Sequence, residues 1–463
     1  MSINRNRFLV ITESQVLDFF IRFLLLSAAI GSLFYVIGGL RVFLYDIVGI
    51  LYSFVVIVSL VLRGSFTSKN QTILVPIFLI LAILVGEMAS SIGLAITQEG
   101  RSIEQFLKLL ISSIMMKTIT ICFLLHQGLN NFRHSRALLL FFSYCLLLSC
   151  LYQFVALFFV IGFGIELDKL IWPFVTLGAW DYNMDDLKYG LAATGGSGFT
   201  IRHGGFAGNP NFLAAQILCL IPLMFYLGQL KNRKFLLALG ICILAMFLTI
   251  SRSGMAAMFV VLFLITCNLA LNNKRAFARV LFYSPIFLIF GIALLNAFAL
   301  DNLGIILETA LDRLGNSGGY KDSYRSQLVI AGLDMLSESP VFGVGLGNAP
   351  VILENYEIFS VTGPSLHNYW IMIIVENGVF SFGYFLFYGY LFLVAFRLNN
   401  FYAKALGMSL VGLVLLGWFN ASIGSFSIQI FLLLLYCSAI QSESNMDKGA
   451  NVKVGQFSKK QIR

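Results

Sequence analysis

The chain has 463 residues, of which 59% are hydrophobic and only 11% are charged. Soluble domains carry about 25% charged residues, so this composition excludes a soluble globular protein and indicates a polytopic membrane protein. The formal net charge of +9 lies mainly between the hydrophobic stretches. We therefore interpret it as a topology signal and not as a nucleic-acid surface.

Hydrophobic stretches alternate with short polar segments along most of the chain. A spanning helix needs about 20 apolar residues, and twelve stretches approach or exceed that length. They predict an all-α integral membrane domain over residues 1–440, followed by a polar, basic tail at 441–463 whose composition predicts disorder. The twelve stretches are 17–38, 42–62, 72–97, 106–127, 137–164, 210–228, 235–250, 255–272, 280–300, 378–396, 405–419 and 421–440.

The positive-inside rule orients these spans. With a cytoplasmic N-terminus, the inner segments hold 19 Lys/Arg against 3 Asp/Glu, which predicts that both termini are cytoplasmic. Two outer segments are then long, at about 165–209 and 301–367. An extracytoplasmic site must be built from these two loops and from the ends of the spans.

The first outer loop closes with RHGGFAGNPNF. Asn209 suits an N-cap and Pro210 suits the first helical position. A helix N-terminus beside Arg202 and His203 would favour a phosphate, and Asn211 belongs to the same candidate substrate-binding group. The alternative is a glycine-rich turn that only leads the chain into a span.

The same loop carries three acidic residues in WDYNMDDLK. Asp181, Asp185 and Asp186 have the ligand type that a divalent cation prefers, although acids in a solvated loop are more often only hydrated. We predict no metal site and no cofactor.

Arg252 lies in SRSG, in a turn between two spans. An arginine at membrane depth tends to have a partner or to line a pathway, whereas near the interface it can snorkel. Arg325 lies in a predicted amphipathic helix that begins near residues 322–323 and ends around 339–340. It would occupy the first turn and face an outer vestibule if the apolar stripe faces the membrane. The following GVGLG, at 343–347, allows close approach of a ligand or of a neighbouring helix.

The segment LHNYWIMIIVENG supplies a second candidate group. His367, at the lip of a span, is a candidate general base near neutral pH, although such a histidine often serves only as a hydrogen-bonding residue. Asn368 and Glu376 are candidate substrate contacts. If His367 is not the base, Glu376, His203 or water would take that role.

Glu87 and Lys117 are charged residues within spans. Their depths differ by roughly 7 Å at 1.5 Å per residue, a gap that a lysine side chain can cover. We expect a structural ion pair, and the alternative is a proton or ion pathway.

The order of RHGGFAGNPN, SRSG, YR with SPVFGVGLG, and HNYW with ENG resembles the O-antigen ligase and Wzy-type polymerase superfamily of bacterial envelopes. The resemblance covers about 200–370 and implies a glycosyltransferase-C-like helical fold in the inner membrane. It also implies an undecaprenyl-diphosphate-linked glycan donor and, as acceptor, lipid A-core for a ligase or a second lipid-linked glycan for a polymerase. Matched by motif, the family's arginines correspond to Arg252 and Arg325 and its histidine to His367, while Arg202 corresponds to a less certain basic position.

No glycine lies ten residues after Arg202, Arg252 or Arg325, so the RX10G pattern of some polymerases is missing. This departure slightly favours a ligase. The residue chemistry agrees with group transfer, because two arginines can bind a departing diphosphate and a histidine can accept the acceptor's proton. We therefore predict a metal-independent, inverting transferase with a periplasmic active site. The rival from another class is a lipid-glycan transporter.

Overall fold

The computed structural model describes residues 13–30, 34–37, 40–63, 71–97, 103–129, 132–165, 167, 171, 203–229, 232–272, 277–278, 320–354 and 366–460. Arg202, the acidic residues Asp181, Asp185 and Asp186, and the predicted span at 280–300 lie outside these ranges. For Arg325 the structure describes the backbone only.

The described ranges contain fourteen α-helices and one β-hairpin. The helices are α1 Glu13–Ala29, α2 Leu44–Arg63, α3 Leu74–Thr97, α4 Ile103–Leu129, α5 Phe132–Phe163, α6 Pro210–Gln229, α7 Arg233–Leu248, α8 Arg252–Asn272, α9 Tyr320–Glu338, α10 Ala349–Glu354, α11 Tyr369–Asn377, α12 Phe382–Arg397, α13 Phe401–Gly417 and α14 Phe426–Lys460. Short 3-10 turns occupy Gln71–Ile73, Gly205–Ala207, Gly378–Ser381 and Ala421–Gly424.

Eight helical segments of the described chain are long and apolar enough to cross a membrane. They coincide with eight of the predicted spans, which agrees with an all-α polytopic membrane fold. Three other predicted spans correspond to the shorter helices α1, α7 and α13, of 17, 16 and 17 residues. The count of twelve therefore stays a prediction.

The first predicted span, 17–38, is wrong at its C-terminal end. Helix α1 ends at Ala29, and the chain then forms an antiparallel hairpin of β1 Phe34–Ile37 and β2 Leu40–Phe43, with Phe34 opposite Phe43. The sequence FYVI-GG-LRVF explains the difference, because a Gly-Gly pair between β-branched and aromatic runs is a hairpin signal that hydropathy alone overlooks.

Helix α14 also differs from expectation. It continues from the membrane segment to Lys460, so most of the tail predicted to be disordered is helical in the structure. At its other end, the ring of Phe426 stacks on Tyr45 at 5.0 Å, and Tyr45 stacks on Phe43 at 5.0 Å. This aromatic stack joins the hairpin to the start of α14.

Helices α6 and α14 form the centre of the bundle and are almost wholly buried in their membrane segments. Other helices present large apolar side chains outward, as a lipid-facing surface requires; Phe54, Phe78 and Phe263 are 67%, 66% and 66% exposed. Around α6 the helices approach closely: a Cβ on Gly254 of α8 would lie 2.9 Å from the Cβ of Ala214. Small residues permit such contacts where lipid provides no hydrophobic driving force.

A second, smaller core lies beside the main bundle. It joins α9, α10 and α11 through a set of buried apolar side chains. These are Leu328, Ala331, Met335, Val344, Ala349, Leu353, Leu366 and Val375.

Candidate functional site

The turn that leads into α6 is built on glycine. Gly205 and Gly208 have φ of 57° and 74°, which favours glycine. A Cβ on Gly205 would also lie 2.5 Å from the Ser149 carbonyl oxygen. The Asn209 side chain accepts a hydrogen bond from the Asn211 amide at 2.8 Å, and α6 begins at Pro210. The predicted N-cap is confirmed.

His203 is buried beneath this turn, with 1% of its surface exposed. Its Nδ1 accepts the Gly205 amide hydrogen at 2.9 Å, and its carbonyl accepts from the Gln153 side chain at 2.8 Å. These contacts favour a structural role for His203, and its predicted substrate contact gains no support from them.

Ser251 connects the SRSG turn to the turn before α6. Its hydroxyl donates to the Asn211 side chain at 3.0 Å and accepts from the Gly254 amide at 3.3 Å, as an N-cap of α8 does. Arg252 is therefore the first residue of α8, and it is exposed. The sequence predictions missed Ser251, although a serine directly before a helical arginine is an N-cap signal.

A chain of contacts brings α11 to the same end of the bundle. From α6, the Gln216 side chain donates to the Ser427 hydroxyl at the start of α14, at 3.1 Å. A Cβ on Gly424, in the turn before α14, would lie 3.0 Å from the ring of Tyr369, the first residue of α11. Helices α6, α8, α11 and α14 thus begin at one end of the bundle.

His367 lies directly before α11 and is exposed. Its φ of 46° is positive, which is uncommon for a residue other than glycine. Its neighbours fix it on both sides. Leu366 is buried in the smaller core, and the Asn368 side chain accepts from the Trp370 and Ile371 amides at 3.1 Å each. The Asn368 oxygen therefore acts as a helix cap, which the prediction of a substrate contact did not include.

The structure confirms a helix in this segment, α9, which starts at Tyr320. The face that carries Gly332 packs against Leu366 and the residues of α11, with 3.0 Å between a Cβ on Gly332 and Leu366, so the condition that the apolar stripe faces the membrane is not met. Arg325 is the sixth residue of α9, in its second turn and not in its first. It stands seven residues before Gly332 and so shares a helix face with it, roughly 10 Å away along the axis.

The glycine-rich loop GVGLG approaches a helix. The amides of Val344 and Gly345 donate to the carbonyls of Val375 and Glu376, at 2.8 and 2.9 Å. Gly343 has φ of 71°, and a Cβ there would lie 2.5 Å from the Val375 carbonyl oxygen. The loop therefore docks on the C-terminal end of α11, the second of the two alternatives drawn from the sequence.

Glu376 completes this docking. It is buried, and its carboxylate accepts hydrogen bonds from the backbone amides of Gly347 and Ala349. The carboxylate thus binds the loop and the first residue of α10. Its role as a substrate contact or alternative base stays a prediction that these contacts do not support.

Across the described residues, no group of three or more His, Cys, Asp and Glu side chains is arranged to hold a metal ion. The acidic trio of the first outer loop lies outside those residues.

Comparison with protein families gives one match. Residues 235–388, about a third of the chain, match the family model described as O-Antigen ligase. The matched range includes Arg252, Arg325, His367 and Asn368 but excludes the turn before α6. Comparison with curated proteins gave no match. The match over residues 235–388 supports the resemblance to the O-antigen ligase and Wzy-type superfamily that the sequence motifs indicate.

Proposed function

We propose that this protein is an inner-membrane glycosyltransferase that moves an undecaprenyl-diphosphate-linked glycan to an acceptor on the outer side of the membrane. The observation that carries the proposal is the position of His367: exposed, held in a strained backbone conformation, and fixed between a buried leucine and a helix cap. Backbone strain of this kind tends to accumulate at functional sites. The family match supports a lipid-linked glycan as the substrate class.

The reaction would be a single displacement. The neutral imidazole of His367 takes the proton of the acceptor hydroxyl while the acceptor oxygen attacks the anomeric carbon. The bond from that carbon to the diphosphate oxygen breaks, with inversion, and undecaprenyl diphosphate leaves. Arg252 and Arg325 would bind the departing phosphate oxygens in bidentate fashion, and no metal ion is needed for this scheme.

The positive-inside distribution supports cytoplasmic termini and a site that faces the periplasm. The start of α8, with Arg252, and the segment with His367 belong to the same end of the bundle, as the Ser251, Gln216 and Gly424 contacts indicate. Arg202, Asn209 and Asn211 would line the same vestibule on the side of α6.

A ligase, with lipid A-core as acceptor, is our first choice. A polymerase that extends a second lipid-linked glycan is the alternative, because the two share the donor and the leaving group. The glycan phenotype of a deletion strain separates them. Unattached lipid-linked polymer is the result expected for loss of a ligase, whereas a core that carries one repeat unit would identify a polymerase.

A lipid-glycan transporter is the rival class. Transport pathways carry ionisable residues deep in several spans. In the described spans, the deep charges Glu87 and Lys117 neutralise each other at 2.7 Å, which favours an enzyme with its chemistry at one face.

A further inference from the structure

A buried polar cluster lies between α3, α4 and α12; its residues on α3 and α4 are outside the matched range, and Tyr384 on α12 is within it. Glu87 of α3 is 1% exposed and accepts a hydrogen bond from the Lys117 ammonium at 2.7 Å. The predicted pair is therefore confirmed. The hydroxyls of Ser113 and Tyr384 also donate to the Glu87 carboxylate, two partners that the sequence did not indicate.

Ser90, almost one turn further along α3, contacts the candidate site directly. Its hydroxyl lies within hydrogen-bond distance of two backbone carbonyls, that of Glu376 at 2.7 Å and that of Phe342. Glu376 belongs to the end of α11, and Phe342 directly precedes the glycine-rich loop. A single hydroxyl hydrogen is thus shared between the two segments that dock on each other, and α3 holds them together.

Helix α3 also packs closely against the segment that joins α11 to α12. A Cβ on Gly86 would lie 2.9 Å from the Cβ of Phe380, and one on Gly383 would lie 3.2 Å from Ile83. The polar contacts and the close packing therefore act on the same stretch, from the C-terminal end of α11 to the first turn of α12.

We propose that Glu87, Ser90, Ser113, Lys117 and Tyr384 form an α3 clamp, a set of positioning residues that fixes the placement of His367. The proposal rests on the proposed function. Helix α11 has only nine residues, so it is about 13 Å long and transmits a shift of its C-terminal end to its N-cap as a rigid rod. Misplacement of a catalytic group by 1 Å can cost about 10²-fold in rate.

A proton relay through Glu87 fits the contacts less well. Three donors, one of them an ammonium group, already occupy the Glu87 carboxylate. His367 is exposed, so it can release a proton to water directly. Positioning therefore explains the cluster without a path for protons.

The test uses two variants that each remove one hydroxyl, Tyr384→Phe and Ser90→Ala, in the full-length protein. Each has a matched control on the same helix: Tyr390→Phe removes a hydroxyl that lies 3.0 Å from the Tyr436 hydroxyl, and Ser91→Ala alters the neighbouring buried serine. In reconstituted glycan transfer, we expect kcat to fall about tenfold for the clamp variants, with KM for the donor unchanged. The controls should stay within about twofold of the parent.

The same substitutions in a His367→Gln background distinguish positioning from general stability. If the clamp acts through His367, Tyr384→Phe should lower the residual rate little further, since the two changes share one effect. An equal tenfold fall in both backgrounds, or parent kcat in both clamp variants, would overturn the proposal.

Amide hydrogen exchange tests the clamp without a measurement of glycan transfer. The clamp predicts faster exchange at Val344, Gly345 and along α11 in Ser90→Ala than in Ser91→Ala. If His367→Gln transfers glycan at the parent rate, His367 is not the base. The clamp is then tested by amide hydrogen exchange alone. Unchanged exchange at these amides would then overturn it.

Discussion

Two residues other than glycine have positive φ in the described chain, Ile250 at 50° and His367 at 46°. A β-branched residue in this region is a genuine outlier, and each strained residue of this kind costs on the order of 1–3 kcal/mol. Ile250 precedes the N-cap of α8, and His367 precedes the N-cap of α11. The strain therefore lies beside the two motifs that carry Arg252 and the candidate base.

His367→Gln should lower turnover by about 10²- to 10⁴-fold with donor binding largely kept, the range typical of losing a general acid or base. Glutamine can form hydrogen bonds but cannot take the proton. The parent rate should also fall on acidification, because only the neutral ring is a base. Parent-rate transfer by the glutamine variant in reconstituted enzyme would limit His367 to positioning the acceptor.

Arg325→Lys should lose most transfer activity while expression is maintained. Lysine keeps the positive charge but lacks the planar fork that binds two phosphate oxygens at once. The measurement is glycan transfer by purified protein at saturating donor, with the amount in the membrane as reference. Near-normal activity would show that a point charge suffices there.

At the scale of elements, the docking of the glycine-rich loop on α11 depends on Gly378. Its φ of 53° and ψ of −132° suit glycine, and a Cβ would lie 2.5 Å from the Val341 carbonyl oxygen. Gly378→Ala should therefore destabilise the fold by at least about 1–3 kcal/mol, seen as a lower thermal midpoint in detergent.

Gly389→Ala, in α12, is the matched control. A Cβ there meets nothing within 4 Å, so the midpoint should stay at or slightly above that of the parent. Equal midpoints for the two variants would contradict the docking account.

Sequence patterns predicted some elements well for identifiable reasons. Hydropathy located the long spans, and Asn209-Pro210 gave the start of α6, because both signals are local. The hairpin after α1 was missed because its apolar residues extend a hydrophobic run. The partner of α9 was not predictable, since Leu366 lies more than 30 residues after Gly332, beyond any periodicity.

The candidate site was predictable only in part. Residue type and position along a span indicate that His367 is exposed and that Arg252 lies at the start of α8. The burial of His203 and Glu376 was not predictable, because each residue contacts backbone amides that only the folded turns bring near. Tyr384 contacts Glu87 although the two residues are almost 300 positions apart in the sequence, and no local sequence pattern indicates this contact.

At the scale of the whole molecule, contacts join the N-terminal ends of α6, α8, α11 and α14 at one end of the bundle, where we propose that donor and acceptor meet. The α3 clamp supports this assembly through residues of α3 and α4 outside the matched range, together with Tyr384 within it. Such an arrangement serves transfer at one face of the membrane, whereas a transporter must expose its substrate site to both faces in turn.

The most direct test is transfer in vesicles that contain only the purified protein, an undecaprenyl-diphosphate-linked glycan, and either lipid A-core or a second lipid-linked glycan. The account predicts that one acceptor gains the glycan while undecaprenyl diphosphate appears in equal amount, and that His367→Gln lowers the rate of both by about 10²- to 10⁴-fold. Movement of the intact lipid-linked glycan across the bilayer, without transfer to either acceptor, would contradict it.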